Sequence, residues 1–351
     1  MSEGLMAVQL LGFGSPLLDI VIDGDQELLD RFGLKADSCV HASGDLLSIF
    51  DHVAVTYQDT IHYTPGGATL NTIRVAQWCL DIPGSTAVIG CLSNDEFGKT
   101  VAAEMEKAGV KCFFQIKNER PTGTCLAICT ENNRSLVTHG GAAELFSHDY
   151  LDQAQTQEVI QEAKYYYCSG FTLIHCPDGV HRLAVQTSKA KEKVFSLNLA
   201  SVNICKKYAN HLQSLMPFID VLFGNGEEVD EFIQICGFKQ VHSRAEAAIL
   251  LSKWEVSGEH RMPRVVVVTQ GEKPALFVQA GCVQEFPPMS ISPDQLVDTN
   301  GAGDAFVGGF LASLIEDGEP IRAVASGHFA ANAVIKERGC TLPTKIPKPG
   351  A

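Results

Sequence analysis

The chain has 351 residues, of which 45% are apolar, 8% aromatic and 19% charged, so it can build a large packed core and shows no low-complexity composition. Its 27 Lys plus Arg and 41 Asp plus Glu residues give a net charge of −14, which excludes an overall basic field for nucleic acid or anionic lipid. No apolar run reaches the roughly 18 residues of a membrane-spanning helix, and residues 1–11 lack a basic secretion signal. We therefore expect a cytoplasmic protein, with a nuclear pool also compatible, that binds neither nucleic acid nor membranes.

The twelve cysteines are scattered without a CxxC motif, and the closest pair, Cys125 and Cys129, has no His pair at metal-ligand spacing. This pattern favours reduced thiols in an intracellular enzyme. The motifs HExxH, GxSxG and GxxxxGK[ST] are absent from the sequence, which excludes zinc proteases, α/β-hydrolases and P-loop ATPases.

The first elements are short and extended. Leu10–Phe13 predicts a buried strand that ends at Gly14, and Leu17–Ile20 resumes an extended pattern that can present Asp19 at its edge. The stretch from residue 23 to residue 58 is polar and broken by three glycines. It resembles a peripheral segment more than a core one, so we predict that it forms part of a lid.

The following elements alternate between helix and strand patterns. Gly66 and Gly67 precede a helical pattern over residues 70–80, and glycines at a helix start let backbone N–H groups approach a bound polar group. Residues 122–130 and 134–138 predict a β-hairpin. Further short apolar runs predict strands at residues 86–91, 111–116, 165–168, 194–199, 220–223 and 264–269. Strands with intervening helices predict a mostly parallel sheet covered on both faces.

The segment DTNGAGDAFVGGF at residues 298–310 is the most informative for chemistry. Apolar residues recur every four positions after Ala305, which predicts a helix that begins near Gly301. The unpaired amides and the positive dipole end of such a helix start suit a phosphoryl group. Asp304 is placed to orient an attacking hydroxyl and accept its proton, but an Asp near a helix start is also a common cap. Spacing alone leaves both roles open.

This segment, with the Gly66-Gly67 turn and the helix that carries Asn71, resembles the PfkB or ribokinase-type family of sugar and nucleoside kinases. Six collinear segments resemble the adenosine kinases of that family: GSPLLDI at 14–20, NTIRVAQW at 71–78, PTGTC at 121–125, NRSL at 133–136, LFGN at 222–225 and DTNGAGDAFVGGF at 298–310. The resemblance implies a ribokinase-like three-layer α/β/α fold with a mostly parallel central sheet. It also implies one kinase domain over residues 1–351, with a lid of about 20–64 and 112–140.

The activity that this resemblance implies is phosphorylation of the adenosine 5′-hydroxyl by ATP with Mg²⁺. Asp304 then matches the catalytic base, and Gly301, Ala302 and Gly303 match the anion hole. Arg134 matches an arginine that reaches the transferring phosphoryl group. Since the transition state is loose, an Asp with an ordinary low pKa can serve as the base. The resemblance also points to a monomer whose partners are the small molecules adenosine and ATP.

The resemblance places the ribose against Asp19, whose carboxylate can accept hydrogen bonds from two hydroxyls. The base is expected in a mostly apolar slot formed partly by the lid. Ser15, Cys39 and Thr138 stand where the relatives carry Asn, Gln and Ala, so base recognition can differ here. The full set of predicted substrate-binding residues is Ser15, Leu17, Asp19, Cys39, Gly66, Gly67, Asn71, Cys125, Leu136, Thr138, Phe171 and Asn300.

For the nucleotide, Asn225 and Glu228 resemble an NxxE motif that orders Mg²⁺ and phosphate through water, which suits an ion that dehydrates reluctantly. Thr269 resembles a strand end that borders the nucleotide groove. His328 is assigned to the pocket for the ATP adenine, with a surface position on its helix as the alternative. The predicted cofactor-binding residues are Asn198, Asn225, Thr269, Gly271, His328 and Asn332.

Three other functions stay open at this point. Another PfkB-type kinase, acting on a sugar or a different nucleoside, would carry the same segment at residues 298–304. A nucleoside-binding protein without catalysis belongs to a different class, and the presence of Asp304 and Arg134 argues against it. A dinucleotide-binding oxidoreductase is a weaker alternative, because residues 12–17 lack the third glycine of GxGxxG.

Overall fold

The computed structural model describes residues 7–36, 38–130, 133–238, 240–260 and 262–343. Its strands are β1 (Leu10–Phe13), β2 (Leu17–Asp23), β3 (Cys39–His41), β4 (His62–Gly66), β5 (Thr86–Leu92), β6 (Lys111–Ile116), β7 (Thr124–Thr130), β8 (Asn133–His139), β9 (Tyr165–Ser169), β10 (Val194–Asn198), β11 (Val221–Asn225), β12 (Val265–Gln270), β13 (Lys273–Gln279) and β14 (Cys282–Phe286). Its α-helices are α1 (Gln26–Arg31), α2 (Ser48–Thr56), α3 (Ala68–Leu80), α4 (Glu96–Lys107), α5 (Ala154–Glu162), α6 (Pro177–Thr187), α7 (Val202–Lys207), α8 (Ala209–Leu215), α9 (Gly226–Ile235), α10 (Arg244–Ser252), α11 (Ala302–Asp317) and α12 (Pro320–Val334). No helix in these ranges is long and apolar enough to cross a membrane.

The strands form two sheets. The large sheet has the order β14-β13-β12-β11-β10-β9-β1-β5-β6 and is parallel from β12 to β6, while β13 and β14 are added antiparallel at one edge. The small sheet has the order β3-β8-β7-β2-β4 and mixes parallel with antiparallel pairs. Parallel strands buried on both faces explain why most of the large sheet could be read from continuous apolar runs.

Helices cover the large sheet on both faces. Alternate residues of one strand enter different cores: Tyr166 and Cys168 pack with α5–α10, whereas Tyr165 and Tyr167 pack with α3, α4, α11 and α12. This alternation follows from the two-residue period of a strand. The three-layer α/β/α fold predicted from the sequence is confirmed.

The segment from residue 23 to residue 58 is not merely peripheral. Its helices α1 and α2 bury Leu29, Ile49 and Val53 against the back of the small sheet, so this sheet has a core of its own. This core was difficult to predict from the sequence because each of these short helices buries only two side chains. The boundary at residue 112 also needs correction, since β6 pairs with β5 in the large sheet and residues 112–116 lie outside the small one.

The chain passes between the two sheets four times. The crossings are at residues 14–16, 66–67, 117–123 and 140–153, and three of them contain glycines of the motifs singled out above. At Gly67 the backbone has φ +92°, and a Cβ there would collide with the carbonyl oxygen of Ser15. The junction therefore brings the backbones of two crossings into contact, and the candidate site is built around it.

Candidate active site

A cavity of about 400 Å³ opens at the carboxyl ends of the central parallel strands. In an open α/β sheet this edge is the usual place for a ligand. Residues from several strand ends and from the start of α11 line it: Ala68, Ser169, Phe171, Asn198, Ala200, Phe223, Gly224, Asn225, Glu228, Thr269, Thr299, Asn300, Gly301, Gly303, Asp304 and Val307. Six of the predicted binding residues and three of the predicted catalytic residues thus share one cavity.

The amino terminus of α11 forms one wall of this cavity. Its N-cap, Gly301, adopts φ +76°, a left-handed conformation that favours glycine, and a Cβ there would lie 2.9 Å from Cβ of Cys340. The amide of Ala302 donates to the Thr299 carbonyl at 3.3 Å. Gly301 and Gly303 lie on the wall, where the first-turn amides and the dipole of this 16-residue helix favour a negative charge.

The position of α11 is fixed by close helix packing. A Cβ on Gly308 would lie 2.6 Å from the carbonyl oxygen of Thr72 on α3, and a Cβ on Gly309 would collide with the carbonyl of Ser326 on α12. The two glycines let three helices approach one another closely. Packing against α3 and α12 therefore fixes the position of α11 and of its amino terminus at the cavity.

Asp304 lies in the first turn of α11 and is held by Asn71, whose side-chain Nδ2 donates to Asp304 Oδ2 at 3.0 Å. Burial raises the pKa of Asp304 to about 7; the Asn71 hydrogen bond lowers it, and the charges of Asp19 and Glu228 raise it. The proposed chemistry needs only an Asp with an ordinary low pKa, and in the folded protein the pKa of Asp304 is higher than that. A carboxylate with a pKa near neutrality is well matched to proton transfer.

Asp19 is the second carboxylate of the site. It is only 6% exposed, and Gly66 packs directly against it, since a Cβ at Gly66 would overlap its carboxylate. Burial raises the pKa of Asp19 to about 7, although the charges of Arg134 and Arg74 oppose this rise. A buried carboxylate needs hydrogen-bond donors, and sugar hydroxyls can provide them.

One face of the small sheet carries six of the predicted substrate-binding residues. Asp19 on β2 pairs with Cys125 on the neighbouring strand β7, and Cys125 pairs in turn with Thr138 on β8. The opposite face buries Ile20 and Leu126 in the core of the small sheet. Since paired residues lie on the same face, the sequence-predicted set is brought together there. The residues on this face are Leu17, Asp19, Cys39, Cys125, Leu136 and Thr138.

Three of the predicted nucleotide-binding residues line the cavity: Asn198, Asn225 and Thr269 lie at the carboxyl ends of β10, β11 and β12. Asn225 and Glu228 form a capping box at the start of α9: Asn225 Oδ1 accepts from the Glu228 amide at 2.9 Å, and Glu228 Oε2 accepts from the Asn225 amide at 2.8 Å. Glu228 Oε1 also accepts from Asn225 Nδ2 at 2.8 Å. The NxxE pattern thus has a structural role, and both carboxylate oxygens already have protein donors.

Three predicted nucleotide-binding residues lie outside the wall of this cavity. Gly271 lies in the turn between β12 and β13. His328 is buried rather than on the helix surface: it packs edge-on against Phe306 at 5.2 Å, and its Nε2 lies 3.2 Å from the Phe286 carbonyl oxygen. Asn332 is buried, with 7% exposure. Contact of these residues with an adenine stays a prediction.

Arg134 lies on β8 and forms an ion pair with Asp298, a residue to which sequence reasoning assigned no role. The two are 164 positions apart, so no local pattern could have joined them. Ser169, Ala200 and Gly224, on the cavity wall, were also missed. Their position at or after the ends of β9, β10 and β11 was the available signal, because such ends meet at one edge of the sheet.

Comparisons with known proteins agree with this geometry. The family model described as pfkB family carbohydrate kinase matches residues 31–347. The chain is 34% identical to adenosine kinase 2 of Arabidopsis thaliana, with 96% of each protein covered, and 34% identical to the adenosine kinase of Schizosaccharomyces pombe, with 97% of each covered. The crystal structure of Anopheles gambiae adenosine kinase in complex with P1,P4-di(adenosine-5) tetraphosphate matches with a TM-score of 0.89 at 30% identity, covering 97% of this chain and 100% of that one. The chain belongs to the pfkB family of carbohydrate kinases.

Proposed function

We propose that this protein is an ATP-dependent adenosine kinase, which transfers the γ-phosphoryl group of ATP to the 5′-hydroxyl of adenosine and releases AMP and ADP. The observation that carries the proposal is the Asp304 carboxylate, held by Asn71 beside the amide-lined start of α11 in one cavity. Such a group next to an anion site serves an alcohol attacking a phosphoryl group. The names of the relatives favour adenosine as the alcohol.

In this mechanism Asp304 accepts a hydrogen bond from the 5′-hydroxyl and takes its proton as the new O–P bond forms. The bond between the γ-phosphorus and the ADP oxygen breaks, and ADP leaves with that oxygen. The amides of Gly301 and Gly303, with the dipole of α11, stabilise the negative charge of the transferring group. Alignment of the two oxygens contributes more than the strength of the base, because the transition state is loose.

Asp19 is proposed to hold the ribose hydroxyls, and the small-sheet face around Cys125 and Leu136 is proposed to contact the base. Phe171, which is 37% exposed on the cavity wall, offers an aromatic face to a purine. The residues Ser15, Cys39 and Thr138 then determine how selective the site is for adenine. A site that hydrogen-bonds a ribose hydroxyl rejects the deoxy analogue strongly.

Mg²⁺ is proposed as the metal, held through its water shell near Asn225 and Glu228. The donor set fits this role: Glu228 is 5% exposed and its oxygens accept protein hydrogen bonds, which suits contact through water better than direct ligation. In the described ranges no three His, Cys, Asp or Glu residues are clustered closely enough to form a protein-only metal site. When bound, Mg²⁺ would neutralise charge on the phosphates.

The test is ADP release with ATP and Mg²⁺ across a panel of nucleosides and sugars. Adenosine should give the highest kcat/KM. Preference for ribose or fructose would replace the proposal with another kinase of the family, and binding of adenosine without ADP release would replace it with the non-catalytic binding protein.

Replacing Asp304 by Asn should lower kcat by roughly 10² to 10⁴, the usual contribution of a positioned acid–base group. Adenosine binding should persist, because the amide keeps the shape of the site and Asn71 can still pair with it. Calorimetric titration with adenosine and the ADP-release assay separate the two effects. Turnover close to that of the natural protein would remove Asp304 from the proposed role.

A further inference from the structure

The Asp298 carboxylate is bound by three different parts of the chain. Its Oδ1 accepts from the Asn300 amide at 2.9 Å, and its Oδ2 accepts from the Gly339 amide at 2.8 Å. Oδ2 also pairs with Nη1 of Arg134. The two charged side chains are largely buried, with 15% of Arg134 and 12% of Asp298 exposed, so solvent screens this pair only weakly.

These contacts join the small sheet to the phosphoryl end of the cavity. Arg134 belongs to β8 of the small sheet, whereas Asn300 and Gly301 lead into α11. The segment after α12 joins the same cluster, because the amides of Val297 and Asp298 donate to the Ile335 carbonyl at 2.9 and 3.2 Å. One carboxylate therefore fixes the side chain of Arg134 and the backbone of the turn before the helix start.

Arg134 pairs directly with Asp298, and this pairing makes the charge of Asp298 compatible with a phosphoryl site. An unpaired carboxylate two residues before the cavity-lining Asn300 would repel an incoming phosphate. A guanidinium has five N–H donors in a planar fork, so it can donate to a carboxylate and to a phosphoryl oxygen in one position. Pairing also removes much of the rotamer freedom that a long side chain would otherwise lose when the substrate binds.

We propose that Asp298 is a positioning residue for phosphoryl transfer, which holds Arg134 beside the amides of Gly301 and Gly303. Asp298 itself does not contact the transferring group. This inference rests on the proposed function, since it assumes that a phosphoryl group passes the start of α11. Its effect on catalysis runs through Arg134, and that route can be tested separately from any role of Asp298 in folding.

The test is a double-mutant cycle with Asp298→Asn, Arg134→Gln and both together, read as ADP release. Each single change should lower kcat by about 10- to 100-fold, the usual result of a misplaced catalytic group. In Asp298→Asn the adenosine KM should change by less than about threefold, because the ribose carboxylate and the charge of Arg134 both stay in place. In the Arg134→Gln background, Asp298→Asn should lower kcat by no more than about twofold further.

Asp23→Asn is the matched control, because it removes an exposed ion pair between the small sheet and the same C-terminal segment, Asp23 with Arg338 at 2.9 Å. Its kcat should stay close to that of the natural protein. Asp298→Glu keeps the carboxylate and should lose less activity than Asp298→Asn. If Asp298→Asn does not fold, Asp298→Glu replaces it in the cycle.

Two outcomes would overturn the inference. Losses that multiply in the double variant would mean that Asp298 acts without Arg134, through Asn300 or Gly339. A change confined to the melting temperature or to the adenosine KM would make Asp298 a structural residue. Failure of the proposed function looks different: the natural protein would then prefer another acceptor in the panel, and the same cycle would be run with that acceptor.

Discussion

At the scale of single residues, the proposed chemistry of the site depends on two buried carboxylates, Asp19 and Asp304. Burial raises the pKa of both to about 7, and the charge of Asp19 is one of the causes of the rise at Asp304. Their folded-state pKa values exceed those of exposed Asp, so their ionisation opposes folding as the pH rises toward neutrality. The site keeps this unfavourable arrangement, as is typical of groups that serve catalysis.

The coupling of these carboxylates predicts the pH dependence of kcat/KM. A base must be deprotonated, so kcat/KM should fall as the pH drops through about 7. Asp19→Asn removes the negative charge that raises the pKa of Asp304, so the acidic limb should move to lower pH even though adenosine binds less well. Profiles of kcat/KM over roughly pH 5 to 9 measure this shift, since they report groups of the free enzyme. If the acidic limb of kcat/KM lies at the same pH in Asp19→Asn as in the natural protein, the coupling between Asp19 and Asp304 is contradicted.

The sequence indicates which residues gather at the candidate site better than it indicates their environments. Asp304 and the glycines before it were predictable, because the spacing of neighbouring residues indicates where a helix begins. The bond from Asn71 to Asp304 spans 233 positions, and the burial that shifts the pKa depends on the whole junction. The resemblance to the kinase family identified Arg134 as a candidate residue. Its pairing with Asp298 could be recognised only from the three-dimensional structure.

At the scale of elements, the NxxE motif at the start of helix α9 has two possible roles, helix capping and nucleotide binding. Asn225 and Glu228 cap the helix reciprocally, and both also line the cavity. The capping box explains their spacing of three without any ligand. Any contribution to the nucleotide site must therefore be measured separately from the contribution to helix stability.

Two substitutions at Asn225 separate these contributions. Asn225→Ala removes the cap and should lower the free energy of unfolding by about 1 to 2 kcal/mol. Asn225→Asp keeps an N-cap acceptor but removes the Nδ2 donor of Glu228 Oε1, so it should retain only part of the stability. Asn225→Asp adds a negative charge beside the phosphates, so the KM for ATP should rise more than in Asn225→Ala. Urea unfolding and ATP titrations measure the two quantities. Equal KM values in both variants would leave Asn225 with the capping role alone.

The predictability of elements follows their length and burial. Strand β12 was easy to predict because Val265–Val268 is a continuous apolar run between polar residues. Helices α1 and α2 were missed because they have only six and nine residues, and each buries just two side chains. Such elements depend on tertiary packing more than on local pattern.

At the scale of the whole molecule, four chain crossings connect the two sheets. The ion pairs of Arg134 and Arg338 join the small sheet to the segments before α11 and after α12. The predicted nucleoside-binding face belongs to the small sheet, while the phosphoryl end belongs to the large one. Under the proposed function, a bound nucleoside contacts both. Closure of the small sheet would exclude water and protect ATP from hydrolysis.

A ligand that contacts both sheets should stabilise the entire fold. Adenosine at about 100 times its Kd should add about 2.7 kcal/mol to the free energy of unfolding, which corresponds to a rise in Tm of roughly 3 to 6 °C for a chain of this size. At the same concentration 2′-deoxyadenosine should give a smaller rise, because Asp19 loses a hydroxyl partner. Thermal unfolding with each nucleoside tests this difference. Equal shifts would remove Asp19 from ribose recognition.

The close packing at Gly308 and Gly309 restricts which parts of this molecule can change during evolution. Larger side chains there would push α3 and α12 away from α11, so under the proposed function the phosphoryl end of the site tolerates little change. The predicted nucleoside-binding face lies on a separate β-sheet that has a hydrophobic core of its own. Directed evolution toward new alcohols should therefore accumulate its mutations on strands β2, β3, β7 and β8, while the glycine-packed helices stay as they are.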